Sequence, residues 1–118
     1  MNNLNRNGKI LAVTLDHGLT IGPIPGLINM NETVNAIQKG GASAMVAHKG
    51  IFKILDPPVD IGKIVHLSAS TSLSVFPDDK VIVGSAALSQ ETGADAISIH
   101  VNIGSKHDRN MIEDLGLI

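Results

Sequence analysis

Four largely apolar runs mark the chain, and each stops at a titratable side chain. Residues 10–15 lead into Asp16, 44–47 into His48, 63–65 into His66 and 96–99 into His100. Unbroken apolar runs, as opposed to alternating ones, predict strands buried on both faces of a parallel sheet. Between the first two runs, residues 18–26 are rich in Gly and Pro and read as a loop. A helix is expected over about 30–39, with Asn29 as cap, Glu32 at the third position and Gly40-Gly41 as the stop. Any helix over 51–55 must be brief, because Pro57-Pro58 forbids continuation. Residues 68–74 read as a polar loop, and 80–83 fit either a strand or the lead-in to a helix over about 85–92. A last helix carries Met111, Ile112 and Leu115, with a capping box expected from Ser105 to Asp108.

One block occurs twice. Gly41-Ala42-Ser43-Ala44 leads to His48, and Gly93-Ala94-Asp95-Ala96 leads to His100, at an offset of 52 residues. Helix, Gly-Ala-x-Ala, strand and terminal histidine recur in one order, which argues for a barrel-like α/β array. Side-chain parity agrees. If Asp16 points inward, Thr14, Ala12 and Ile10 share its face while Leu11, Val13 and Leu15 lie opposite. With His100 inward, Ser98 and Ala96 accompany it and Ile97 and Ile99 face away. Small or polar residues on one face and large aliphatics on the other suit a tapering barrel interior with helices outside.

Composition narrows the class. The 118 residues allow one domain, short of the roughly 250 of a complete (β/α)8 barrel. Mean hydropathy is +0.22 and only 17% of residues are charged, so much of the surface is expected to be covered. There is no cysteine, which removes disulfide and thiolate chemistry. A net charge of −2 and two aromatic residues argue against a nucleic-acid groove. No stretch has the length of a membrane span, and the Asn-rich residues 1–8 lack the apolar core of a signal peptide. A cytoplasmic protein is expected, without nucleic-acid or membrane partners.

An acid and several imidazoles at strand ends can serve two chemistries. One is hydrolysis at a metal held by histidine and aspartate, although no His-x-His or His-Glu-x-x-His pair is present. The other is acid–base work by Asp16 on a polar carbonyl compound, with Lys49 or Lys106 as anion-binding groups. Each group also has a plain structural alternative: Asp16 as a turn cap, His17 as a loop donor, and the other histidines as hydrogen-bonded core residues. From the residues alone the two chemistries stand level.

Longer blocks break the tie. Residues 13–24, Gly40-Gly41-Ala42, His48-Lys49-Gly50-Ile51, residues 66–71 (His-Leu-Ser-Ala-Ser-Thr) and residues 98–105 (Ser-Ile-His-Val-Asn-Ile-Gly-Ser) resemble the archaeal-type class I aldolases. Within that family the likeness is greatest to 2-amino-3,7-dideoxy-D-threo-hept-6-ulosonate synthases, with archaeal class I fructose-bisphosphate aldolases as cousins. The resemblance implies a (β/α)8 barrel, a lysine Schiff base with a ketose phosphate, and no cofactor or metal. It makes Asp16 the proton-transfer residue and Asp16, His17, Gly18, Leu19 and Thr20 the substrate-binding stretch. His48, His66 and His100 become pocket lining. Leu19 and Thr20 stand where relatives often have Val and Ser.

The resemblance also implies what is missing. The family's proton-donor tyrosine lies on strand five in a Tyr-Pro-Arg-Gly block, its lysine on strand six, and its phosphate loops after strands seven and eight. This chain has no tyrosine. Residues 1–118 are therefore expected to be one partial domain, the first half of a (β/α)8 barrel truncated after strand four. It should be inactive alone towards phosphorylated ketoses or aldehydes, and should form homo-oligomers or pair with a complementary half-barrel. A non-catalytic structural half-barrel is the alternative, with a metal-dependent hydrolase behind it.

Overall fold

The computed structural model describes Leu4, Asn5 and residues 7–118; residues 1–3 and Arg6, part of the stretch read above for a signal peptide, lie outside the described residues. Four strands form one parallel sheet: β1 (Ala12–Thr14), β2 (Ala44–Ala47), β3 (Gly62–His66) and β6 (Ala96–Ser98), in the order β1-β2-β3-β6. Two-residue strands β4 (Ser68–Ala69) and β5 (Val81–Ile82) pair antiparallel beyond the end of β3. The helices are α1 (His17–Ile21), α2 (Met30–Lys39), α3 (Lys49–Ile54), α4 (Ala86–Glu91) and α5 (Asp108–Leu117). A parallel sheet in sequential order whose strands are joined through helices is the arrangement that the first half of a (β/α)8 barrel requires.

The register carries parity across the sheet. Ala12, Ala44 and Gly62 stand in one row, and Thr14, Val46, Ile64 and Ala96 in the next. His66 lies opposite Ser98 one row further on. These rows share the inward face with Asp16 and His48. The other face carries Val13, Leu15, Met45 and Ala47 into a core with Val34, Ala42, Leu55, Val59 and Ile61. The expected division of faces is thus present. At the base of the inward face, an added Cβ on Gly62 would meet Leu4, whose Cα would lie 3.0 Å away, so a side chain there would displace Leu4.

The repeat has a physical purpose. Gly41 and Gly93 have φ of 91° and 75°, the left-handed conformation that ends a helix. At both, backbone bonds run back into the helix: Ala42 N to Ile37 O, and Ala94 N to Ser89 O. Two residues on, the variable position of the block clips the preceding strand. Ser43 Oγ accepts from Leu11 N at 2.9 Å, and Asp95 Oδ2 accepts from Lys63 N at 2.9 Å. Each unit thereby fixes its strand against its neighbour before the ladder begins.

Several expectations are corrected. The loop assigned to residues 18–26 begins as helix α1, whose backbone closes from Gly22 N to Gly18 O. The polar loop after His66 contains β4, and of the two alternatives for residues 80–83 the strand forms as β5, because Leu67 O accepts from Val83 N and draws the segment alongside. The first and last sheet strands are shorter than the apolar runs that announced them. The capping box at Ser105 does not form. Asp108 is the first residue of α5, and its Oδ2 accepts from Gly104 N instead of closing on Ser105. The Asn29 cap on α2 is formed, with its side chain accepting from Glu32 N.

Candidate functional site

Asp16 follows the last residues of β1 and immediately precedes α1, yet its side chain makes no capping bond to that helix. It turns to the inward face, where its Oδ2 lies 3.5 Å from His66 Nε2. The turn-cap alternative for Asp16 is therefore not realised. His66 closes β3, is buried at 8% exposure, and its Nδ1 is 2.8 Å from Ser98 Oγ on β6. The His48 ring meets that of His66 edge-on, with centroids 5.4 Å apart. Groups from the ends of β1, β2, β3 and β6 thus converge on one spot, as parallel strands in register require.

His100 sits one step further out and is exposed. Its backbone N–H is held by the Oγ of Ser68, a buried residue of β4, at 2.8 Å. The small β4–β5 ribbon thereby positions the loop after β6. Burial pushes the His66 pKa below its usual value. The carboxylate of Asp16 opposes that shift, while His48, His100 and Lys80 reinforce it. The net result favours a neutral imidazole at the centre of the cluster.

Lys80 was not foreseen. Lys49 opens α3 as an exposed residue, and Lys106 places its Nζ 4.6 Å from the Phe76 ring centroid. The lysine whose charge reaches His66 is Lys80, with its Nζ held at 2.7 Å by Ser70 Oγ. Residue spacing gave no sign of it, because it belongs to neither a long strand nor a helix. Ser98 and Ser68 were likewise missed as hydrogen-bonding partners. The inward parity of Ser98 was the available signal.

Beside this cluster, a cavity of about 420 Å³ opens between β1, α1 and α3. Asp16, Gly18, Leu19 and His48 line it, together with the apolar side chains of Leu15 and Met30. His17 and Thr20 of the expected substrate stretch do not line it. His17 is exposed, and the Thr20 carbonyl accepts from Ser72 N. Among the described residues, no three His, Asp or Glu side chains are grouped to hold a metal ion. None of the described helices is long and apolar enough to cross a membrane.

Comparison with known proteins gives this arrangement its context. A 2-amino-3,7-dideoxy-D-threo-hept-6-ulosonate synthase of Archaeoglobus fulgidus is 41% identical over 120 residues, covering all of this chain and 45% of its own length. A synthase of the same name from Halobacterium salinarum is 36% identical, covering 98% of this chain and 44% of its own. The chain therefore spans about half the length of the curated relatives it matches. The solved structure of a Schiff-base-forming fructose-1,6-bisphosphate aldolase superposes with a TM-score of 0.83 at 25% identity, over 94% of this chain and 46% of that one. Residues 10–118 match the family model described as DeoC/LacD family aldolase, and the chain belongs to that family.

Proposed function

We propose that residues 1–118 form one half-barrel unit carrying the proton-transfer side of a class I aldolase or transaldolase-like site. Its substrates would be phosphorylated ketoses or aldehydes. The observation that carries this reading is the placement of Asp16 at the end of β1, turned away from its helix and towards His66. A carboxylate there can take a proton from a substrate hydroxyl or carbon and return it. Gly18 and Leu19 would border the substrate, and His48 and His66 would hold the carboxylate side of the pocket. Lys80 would supply positive charge for an anionic group. His17 and Thr20 enter this reading only through the likeness of their block to the family. No metal or cofactor is called for, and a cytoplasmic setting fits such metabolism.

The Schiff base needs a lysine amine facing the same pocket. We assign that lysine to the opposite barrel wall and expect the 118-residue chain to be inactive alone. Treating it with dihydroxyacetone phosphate and borohydride, then weighing it, should give no adduct. A stoichiometric adduct would overturn this assignment and direct attention to Lys80. Supplying the C-terminal half of the Archaeoglobus fulgidus synthase should restore aldol turnover. In that pair Asp16→Asn should reduce the rate by about 10²–10⁴-fold, the range for a general acid–base group. Undiminished turnover would exclude Asp16 as the proton carrier.

A second reading, a structural half-barrel that pairs without catalysis, is favoured by one feature. Among the described residues, the outer edges of β1 and β6 have no strand partner. Open edges invite pairing with another chain. Light scattering should find a dimer or larger species; a stable monomer at high concentration would count against association.

A further inference from the structure

We propose that Asp16 fixes the tautomer of His66: the ring carries its proton on Nε2, the nitrogen next to the carboxylate, and the Ser98 hydroxyl donates to Nδ1. The 2.8 Å separation of Ser98 Oγ and His66 Nδ1 admits two polarities. In one, Nδ1–H donates to the hydroxyl; a neutral ring then has a lone pair on Nε2. That lone pair would face Asp16 Oδ2 at 3.5 Å, and a carboxylate oxygen also offers only lone pairs. Two acceptors would confront each other in a buried place, where such a mismatch is costly. In the other polarity Ser98 donates, Nε2 keeps the proton, and a donor in place of a lone pair stands beside the carboxylate. Both contacts are then attractive.

A doubly protonated ring would also satisfy Asp16, but the surroundings oppose it. The ring is buried, and His48 at the end of β2, His100 beyond β6 and Lys80 before β5 all bring positive or potentially positive charge to it. Asp16 is the one group acting in the opposite sense. The serine hydroxyl can donate or accept and so follows the ring. Among the described residues, Nδ1 is the hydrogen-bond partner found for its Oγ, while its carbonyl is engaged by Leu67 N. Asp16 on β1 thus sets, through His66 on β3, the direction in which the Ser98 hydroxyl on β6 donates. The consequence for proton transfer rests on the proposed role of Asp16, whereas the tautomer itself does not.

The test is a long-range proton–nitrogen correlation spectrum of the full 118-residue chain, labelled with ¹⁵N, at pH 7. The His66 signals are assigned by their loss in His66→Gln. The expected result is a protonated Nε2 and an unprotonated Nδ1. Asp16→Ala should move both nitrogens towards intermediate shifts as the tautomers mix, whereas Ser98→Ala should leave Nε2 the protonated nitrogen. A protonated Nδ1 in the parent, whether or not Nε2 also carries a proton, would overturn the proposal. So would an Asp16→Ala spectrum identical to the parent. Should Asp16→Ala fail to fold, the parent and Ser98→Ala spectra decide. Turnover plays no part in this readout, so its failure is separable from failure of the aldolase reading.

Discussion

The two faces of the sheet have reached different stages of completion. The helix-facing side is closed: Met45 and Ala47 are 0% exposed, and Leu15, Val34 and Leu55 seal the space around them. The inward side is finished only at its centre. His66 is buried, but Ala12 and Thr14 on β1 remain exposed. Packing against helices is a local matter, settled within each strand–helix unit. Filling a barrel interior needs side chains from strands on the far side. Stability is therefore expected to reside on one face and chemistry on the other.

The largest effect should come from substitution on the closed face. Met45→Ala is expected to cost about 2–5 kcal/mol in urea denaturation, whereas Thr14→Ala should change stability by less than about 0.5 kcal/mol. Equal costs would dissolve the distinction between the faces. Next comes the junction that delivers β2 to that core. Gly41→Ala forces a Cβ into φ of 91° and should cost about 1–2 kcal/mol, visible as a lowered midpoint with unchanged slope.

The smallest effect sharpens the comparison through pH. The folded-state pKa of His66 lies below its unfolded value of about 6.5, so the unfolded chain binds the proton more readily. Its contribution is full above pH 6.5 and is lost as pH falls from there towards the folded pKa. Between pH 7.5 and 5 the parent should lose more stability than His66→Gln does. Parallel losses would show that the imidazole is not held neutral by the fold.

The helix-facing side was the more legible in sequence, for the same physical reason. Continuous apolar runs, the Asn29 cap and the Gly-Ala-x-Ala block are local signals, and each led to the element it implied. Parity then gave the inward faces of the first and last strands, with Asp16 and His100 on them, without knowledge of distances. What escaped depended on contacts between segments far apart in the chain. The β4–β5 ribbon forms because residues around 68 and 82 meet, and neither segment is long enough to declare itself a strand. Lys80 reaches the site on that ribbon. Helix α1 was hidden by the glycines and prolines around it, and Ser105 resembled a cap until the Asp108 carboxylate was drawn to Gly104 instead.

The clips made by Ser43 and Asp95 have a consequence for how such a chain can tolerate change. Alignment in the β1–β2 and β3–β6 pairs is secured at the strand entrance, by a side chain from the later unit. Lengthening the connection between α4 and its neighbours would then alter a loop without sliding β6 along β3. Whole strand–helix cassettes could be exchanged at the Gly-Ala-x-Ala boundaries with their alignment intact, provided the incoming cassette brings its own oxygen at the variable position.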